Sequence, residues 1–287
     1  YHSLLGVEHF YLYDNESARS QARALEGFDA ERFTFVSWPG LAQQMPAYNH
    51  CLKTFGKDCR WLAYIDMDEF ICPMEDNDLR ALLAEYEEYA GLAIPWLMFG
   101  SAGHLCRPEG MTLKNFQETL PEEYDSRHNI IKCIVDPART LKILDPHRSF
   151  PKEGEYVVSE DHRPLTRGAN RVIRSVEKVR INHYFYRSQE EFEIKLARGR
   201  SDRADEAGRY AYEQFYVQAR DAVVPDSAIQ RFVPQTRIAM FEPGIIPPAR
   251  GCNTQFHELV SEAYDLVKQR QFGRAEALLC ASAVISK

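Results

Sequence analysis

Several things are missing from this sequence, and each absence narrows what it can be. No stretch of about 18 apolar residues occurs, so no segment reads as a membrane-spanning helix. The opening YHSLLGVEHF has no basic segment followed by an apolar one, so it does not read as a secretory leader. There is no positive excess: 35 Lys and Arg stand against 42 Asp and Glu, a net charge of −7 that gives nucleic-acid binding no electrostatic basis. The seven cysteines include no Cys-x-x-Cys pair, and an odd count without metal-type spacing argues for reduced thiols. The expected location is therefore cytoplasmic, with membrane-peripheral placement as the variant.

What is present is a chain of 287 residues, 45% apolar, enough for one large folded domain and a small appendage. Its first half alternates extended and helical patterns. HFYLYDN (9–15), FTFVSWPG (33–40), WLAYIDM (61–67) and GLAIPWLMFG (91–100) read as strands. Between them, SARSQARALEGF (17–28), MPAYNHCLKTFG (45–56) and DNDLRALLAEYEEYA (76–90) read as helices. Such alternation predicts an α/β fold with a mainly parallel central sheet flanked by helices. Further strands are expected at 129–136, 140–147, 155–160 and 178–186. A helix follows over 188–202, with Ser188 and Glu191 at capping-box spacing. Residues 1–245 are assigned to the main domain. Residues 246–287 are assigned to a linker and a helical hairpin tail of tetratricopeptide character.

The stretch WLAYIDMDEFICP leads an apolar run into Asp66, Asp68 and Glu69. Carboxylates at the end of an apolar strand need a cation or water. In open parallel sheets ligands bind beyond the strands' carboxyl ends, where Asp14, Asp66 and Asp68 are all expected. If the strand continues through Met67, period two puts Asp66 and Asp68 on one side. Two such oxygen donors suit Mn²⁺ or Mg²⁺, which complete their shells with phosphate oxygens and water. His183 and His147, each at the end of a strand-like run, are candidates to join that shell. Lys132 lies inside an apolar strand pattern and needs an anionic partner. Arg198 and Arg200 flank Gly199 and carry the guanidinium geometry that fits phosphate.

Five blocks, GVEHFYLYDNES, WLAYIDMDEF, WLMFGSAGH, KCIVDP…H and INHYFYRSQEEFEIKLARGR, together resemble glycosyltransferase family 92 and the related bacterial family 2-type enzymes over residues 1–205. The resemblance implies a GT-A (nucleotide-diphospho-sugar transferase) fold, a UDP-sugar donor, a Mn²⁺-type cation and inversion at the anomeric carbon. It implies donor-binding roles for Asp14 and Asp66, to which Lys132 and Arg198 are added from their chemistry as donor-binding cations that stabilise the diphosphate charge. Asp66, Asp68 and His183 become the metal ligands, with Asp68 favoured as the direct one. It also implies an opening strand, of which this sequence has no counterpart before Tyr1. The acceptor would be a glycan, polysaccharide or other hydroxyl compound. An inverting transfer needs a carboxylate base, for which Asp161 leads over Glu160 and Asp145. GSAGH (100–104) could bring backbone and His104 near the sugar. Two other classes fit a D-x-D motif. One is a phosphatase of the haloacid dehalogenase type, disfavoured because Glu69-Phe70 follow the second acid. The other is a non-catalytic sugar-binding or scaffold module.

Overall fold

The computed structural model describes residues 1–17, 25, 27–121, 130–166, 175–198 and 224–241, with Ala197, Arg198 and Phe241 described as backbone only. Most of the helix expected over 17–28, the tail assigned to 246–287 and Arg200 lie outside the described residues, as does the side chain of Arg198.

A central six-stranded sheet organises the molecule. Its strands are β3 (Leu62–Ala63), β4 (Glu69–Pro73), β5 (Gly91–Met98), β7 (Ile131–Val135), β10 (Val157–Val158) and β11 (Val179–His183), in the order β3-β7-β5-β11-β4 with β10 also on β5. Outside it lie three two-stranded sheets. They pair β1 (Phe10–Asp14) with β2 (Phe33–Ser37), β6 (Glu118–Thr119) with β12 (Val224–Pro225), and β8 (Thr140–Asp145) with β9 (Arg148–Pro151). The helices are α1 (Gln44–Phe55), α2 (Leu79–Ala84), α3 (Thr112–Asn115), α4 (Gln189–Arg198) and α5 (Val233–Phe241).

The central sheet is mixed, which corrects the expectation of a mainly parallel one. β5 pairs in parallel with β10 and β11, but β3–β7, β5–β7 and β4–β11 are antiparallel. Strand-helix alternation gives parallel pairing only where a helix carries the chain back across the sheet. Here β7 enters the sheet against β5 while β10 and β11 run with it, so the strands of the second half enter in both directions.

β5 is the centre because every residue of GLAIPWLM is buried, a continuous apolar run suited to a strand covered on both faces. Gly91 opens it at a close approach, since an added Cβ would stand 2.6 Å from the Ile134 carbonyl oxygen. Pro95 is tolerated inside the strand. Trp96 N–H bonds the Ile130 carbonyl, so the nitrogen of Pro95 faces the other edge, between the stretches covered by β10 and β11. Successive side chains then feed two cores. Leu92, Ile94, Trp96 and Met98 belong to one, and Ala93 joins Ile131, Cys133 and Val135 in the other.

The strand expected over 61–67 is a second correction. Only Leu62–Ala63 pair, and the chain then crosses to form β4 at the opposite edge of the sheet. β3, β5 and β11 run one way and β4 the other, so Tyr64–Asp68 passes over the carboxyl ends of β5 and β11. The crossing is fastened by Tyr184 N–H to the Asp68 carbonyl, 2.9 Å, and ends in a turn in which Glu69 N–H bonds the Asp66 carbonyl, 3.0 Å. The amphipathic helix expected over 76–90 is also shorter. Beyond Ala84 the bonds tighten to i→i−3, and Tyr86, fully buried, donates its hydroxyl to the Glu160 carbonyl.

Candidate active site

Register fixes which side chains share a face. Lys132 pairs with Ile94, Trp96 follows Ile94 by two, His183 pairs with Met98 and also with Glu69. Because cross-strand partners point the same way, Lys132, Trp96, His183 and Glu69 lie on one face of four adjacent strands. The Tyr64–Asp68 crossing brings Asp66 and Asp68 over that face at its rim.

Asp66 is held from several sides. Its Oδ2 lies 3.0 Å from Lys132 Nζ, and its Oδ1 accepts from Gln44 Nε2 at 2.9 Å and Tyr48 OH at 3.4 Å. Its own N–H donates to Glu69 Oε2 at 2.8 Å, an oxygen that is itself 3.4 Å from Lys132 Nζ. Lys132 is 1% exposed. Burial opposes its charge, but Glu69 and Asp66 outweigh burial and hold the ammonium well above its ordinary pKa. Glu69 is pushed up to about 8 by burial, against the pull of Lys132. Asp66 resists its burial through Lys132 and stays below the usual carboxylate range.

Asp68 meets a different set. Lys195 of α4 reaches its Oδ2 at 2.6 Å, and His183 Nε2 lies 3.7 Å from its Oδ1. Burial would raise the Asp68 carboxyl, but His183 and Lys195 hold it far below its usual range. His183 is itself buried, which drives the imidazole toward its neutral form despite the acid beside it. Its ring packs 4.2 Å from Trp96, and its Nδ1 is a buried atom with no hydrogen-bond partner. The two acids therefore share a rim through a turn and not through strand alternation. Met67, between them, points to solvent and is 93% exposed.

A divalent cation is the group this arrangement raises. An ionised carboxylate and a neutral imidazole are the protonation states a Mn²⁺ ligand pair requires, and the ring atom turned toward Asp68 is Nε2, with Nδ1 left to carry the proton. Among the described residues no group of three His, Cys, Asp or Glu side chains is placed to hold a metal ion. A cation that draws diphosphate oxygens and water into its shell needs fewer protein ligands. Asp68, whose cation partner is the partly exposed Lys195, and His183 are thus the pair that would hold the ion, while Asp66 is engaged by the buried Lys132 and by Gln44 and Tyr48.

The remaining candidates scatter. His147 stands on the same rim, 4.9 Å from Trp96, so the two histidines bracket that ring. Its Nδ1 faces the Ile131 carbonyl at 3.1 Å, and burial together with Lys132 lowers its pKa to about 4. Asp14 ends β1, accepting Ser17 N–H at 3.0 Å, beside Ser37 at the end of β2. α1, which follows β2, delivers Gln44 to Asp66. Asp161 is not brought to this rim. It follows β10, which pairs with the start of β5, and it bonds Ser159 and Arg163 on the surface. Its neighbour Glu160 caps the backbone N–H groups of Glu177, Lys178 and Val179, at the end of β11 away from His183. Asp145 serves the β8–β9 turn, accepting from His147 N–H and Arg148. Sequence reasoning missed Gln44, Tyr48, Trp96 and Lys195, and it gave Glu69 no role. Only Lys195 carried a visible signal, a third cation in KLARGR beside the two arginines.

With the geometry in place, comparison with known proteins decides the family. The model of "Glycosyltransferase family 92" matches residues 1–205. The chain belongs to glycosyltransferase family 92. It is 26% identical over 262 residues to a family 92 protein of Ricinus communis, covering 81% of this chain and 42% of that protein. It is 27% identical over 199 residues to one of Oryza sativa subsp. japonica, covering 69% and 32%. One from Arabidopsis thaliana is 26% identical over 219 residues, covering 69% and 34%. The chain thus spans less than half the length of these family 92 relatives. The family match covers the whole rim, from Asp14 through Asp66 and Asp68 to Lys195.

Proposed function

We propose that this family 92 chain carries the transfer site of a metal-dependent glycosyltransferase. It would move a sugar from a nucleotide-sugar donor, a UDP-sugar, to a hydroxyl of a glycan or polysaccharide, with inversion. The observation that carries the proposal is the meeting of Asp68 with His183, and of Asp66 with Lys132, at the carboxyl ends of β5 and β11 inside the family-matched region. A GT-A type of fold is part of the proposal. Its support is the family and the D-x-D turn at the sheet's rim.

In this reading Asp68 and His183 hold Mn²⁺ (or Mg²⁺). When bound, the cation supplies neutralisation of the charge that develops on the departing nucleoside diphosphate. The rest belongs to the chain. Lys132 fixes Asp66 and keeps positive potential at the rim, and Trp96 packs on His183 and sets its ring plane. Asp14 and Arg198 remain the proposed contacts to the donor's nucleotide and phosphates. Asp161 is left out, because a base must reach the acceptor hydroxyl and this residue stands at the other end of β11 from His183.

A panel of nucleotide sugars incubated with Mn²⁺ tests the reading. Hydrolysis of a UDP-sugar is expected, lost in Asp68→Ala together with Mn²⁺ binding by calorimetry, while the far-UV spectrum is unchanged. Retention of Mn²⁺ binding by Asp68→Ala removes the metal site. Donor binding without any turnover would move the chain to the sugar-binding module class. Release of phosphate from a generic ester alone would favour the phosphatase.

A further inference from the structure

The rim holds two lysines, and they are built differently. Lys132 projects from the middle of a sheet strand, is 1% exposed and is clamped between the carboxyl groups of Asp66 and Glu69. Lys195 projects from a helix and has one carboxylate partner, Asp68 Oδ2 at 2.6 Å. Its other contacts are the Phe185 carbonyl at 3.3 Å and the face of the Phe185 ring, 3.7 Å from the centroid. About a quarter of its side chain, 26%, is exposed. The helix beneath it is pinned. Ser188 and Glu191 close a capping box, Gln189 and Glu190 donate their N–H groups to the carbonyls of His104 and Leu105, and Phe192 is buried. Its backbone is therefore fixed, while the ammonium sits on a flexible four-carbon stem.

This placement creates a competition. A cation held by Asp68 and His183 must share the carboxylate that Lys195 already occupies, and two like charges at such range repel. Lys132 is buried at 1% exposure and cannot give way without carrying its charge through the apolar interior, away from both Asp66 and Glu69. Lys195 can, because solvent is beside it. We propose that Lys195 is a displaceable internal counter-ion. It neutralises Asp68 until a divalent cation arrives, and once displaced it binds the anionic diphosphate that accompanies that cation. The role rests on the proposed transfer site and adds to it a residue that couples metal entry to donor capture. Ammonium groups released beside a cation centre are well suited to phosphate oxygens.

The test uses Lys195→Met, which keeps the apolar stem over Phe185 and removes the charge, with Lys195→Gln as the substitute if it fails to fold. Mn²⁺ alone is titrated by electron paramagnetic resonance, then UDP is titrated by calorimetry at saturating Mn²⁺. The expected result is Mn²⁺ affinity about fivefold or more tighter than wild type, with UDP affinity weaker by about tenfold. Lys195→Arg, which keeps the charge, should retain most of the UDP affinity. A purely structural lysine would weaken both ligands together. Mn²⁺ binding that is unchanged or weaker in Lys195→Met, beside a wild type that binds Mn²⁺, overturns the counter-ion role and leaves the transfer site standing. UDP affinity that does not fall overturns the diphosphate role. Absence of Mn²⁺ binding in both proteins overturns the site and this inference with it.

Discussion

Lys132 is the side chain on which the electrostatics of the rim turn. A buried ammonium is stable only with its partners, and removing one member of such a pair leaves an uncompensated charge. Lys132→Met is expected to destabilise the fold by about 3 kcal/mol, the low end for a broken buried pair, because Asp66 is 38% exposed and keeps Gln44. Urea denaturation measures this, and a loss below about 0.5 kcal/mol, the scale of ordinary surface changes, would contradict it. The two histidines around Trp96 offer a sharper contrast. His183 Nε2 lies beside Asp68, whereas His147 Nδ1 faces a carbonyl and its ring lies across Trp96. His183→Ala should therefore weaken Mn²⁺ affinity more than His147→Ala in parallel calorimetric titrations. The reverse order would transfer the ligand role to His147.

Elements differ in how far their own residues determine them. α2 is six residues long and depends on its cap, where Asp78 Oδ1 accepts Arg80 N–H at 2.9 Å. Asp78→Ala should cost about 1 kcal/mol at pH 7. Burial would raise the Asp78 carboxyl, but the hydrogen bonds from Arg80 outweigh it and depress it. A depressed folded pKa means the contribution is fully present above the unfolded carboxyl's value and fades as pH falls through the folded one. The gap between wild type and variant in urea midpoints should thus narrow from pH 7 toward pH 3, and a gap that widens would refute the cap's charge. The Ser188–Glu191 box was legible from spacing alone, because both partners are local. So were β1, β2, β5 and α1, whose patterns are carried by consecutive residues. The strand expected over 61–67 was not, because Leu62 pairs with Val135 while Glu69 pairs with His183. Nothing within 61–69 encodes a change of sheet edge.

At the scale of the molecule, the segment 224–241 is tied to the sheet by Arg180, whose guanidinium pairs with the partly buried Asp226 and bonds the buried Asn182. Arg180 alternates with Ile181, so it leaves β11 on the face opposite His183. Arg180→Met should speed amide hydrogen exchange across Val233–Phe241 while Mn²⁺ affinity stays at the wild-type value. Unaltered exchange there would show that Phe232 and Val233, both buried, hold the segment without the ion pair. The site is legible in sequence to the same limited degree as the tie. Asp66, Asp68, Lys132 and His183 announce themselves by chemistry, as polar groups in or beside apolar runs of the sequence. Gln44, Trp96 and Lys195 have ordinary surroundings in the chain and acquire meaning only through distant partners.

The crossing from Ala63 to Glu69 is anchored at opposite borders of the sheet, and this has a kinetic side. Asp66 is 66 positions from Lys132, and Asp68 is 127 from Lys195. Contacts so remote along the chain must meet the loop-closure entropy of long intervening segments before they form. During synthesis the acids are therefore made long before their cations, and the rim can close only after Lys195 has joined the chain.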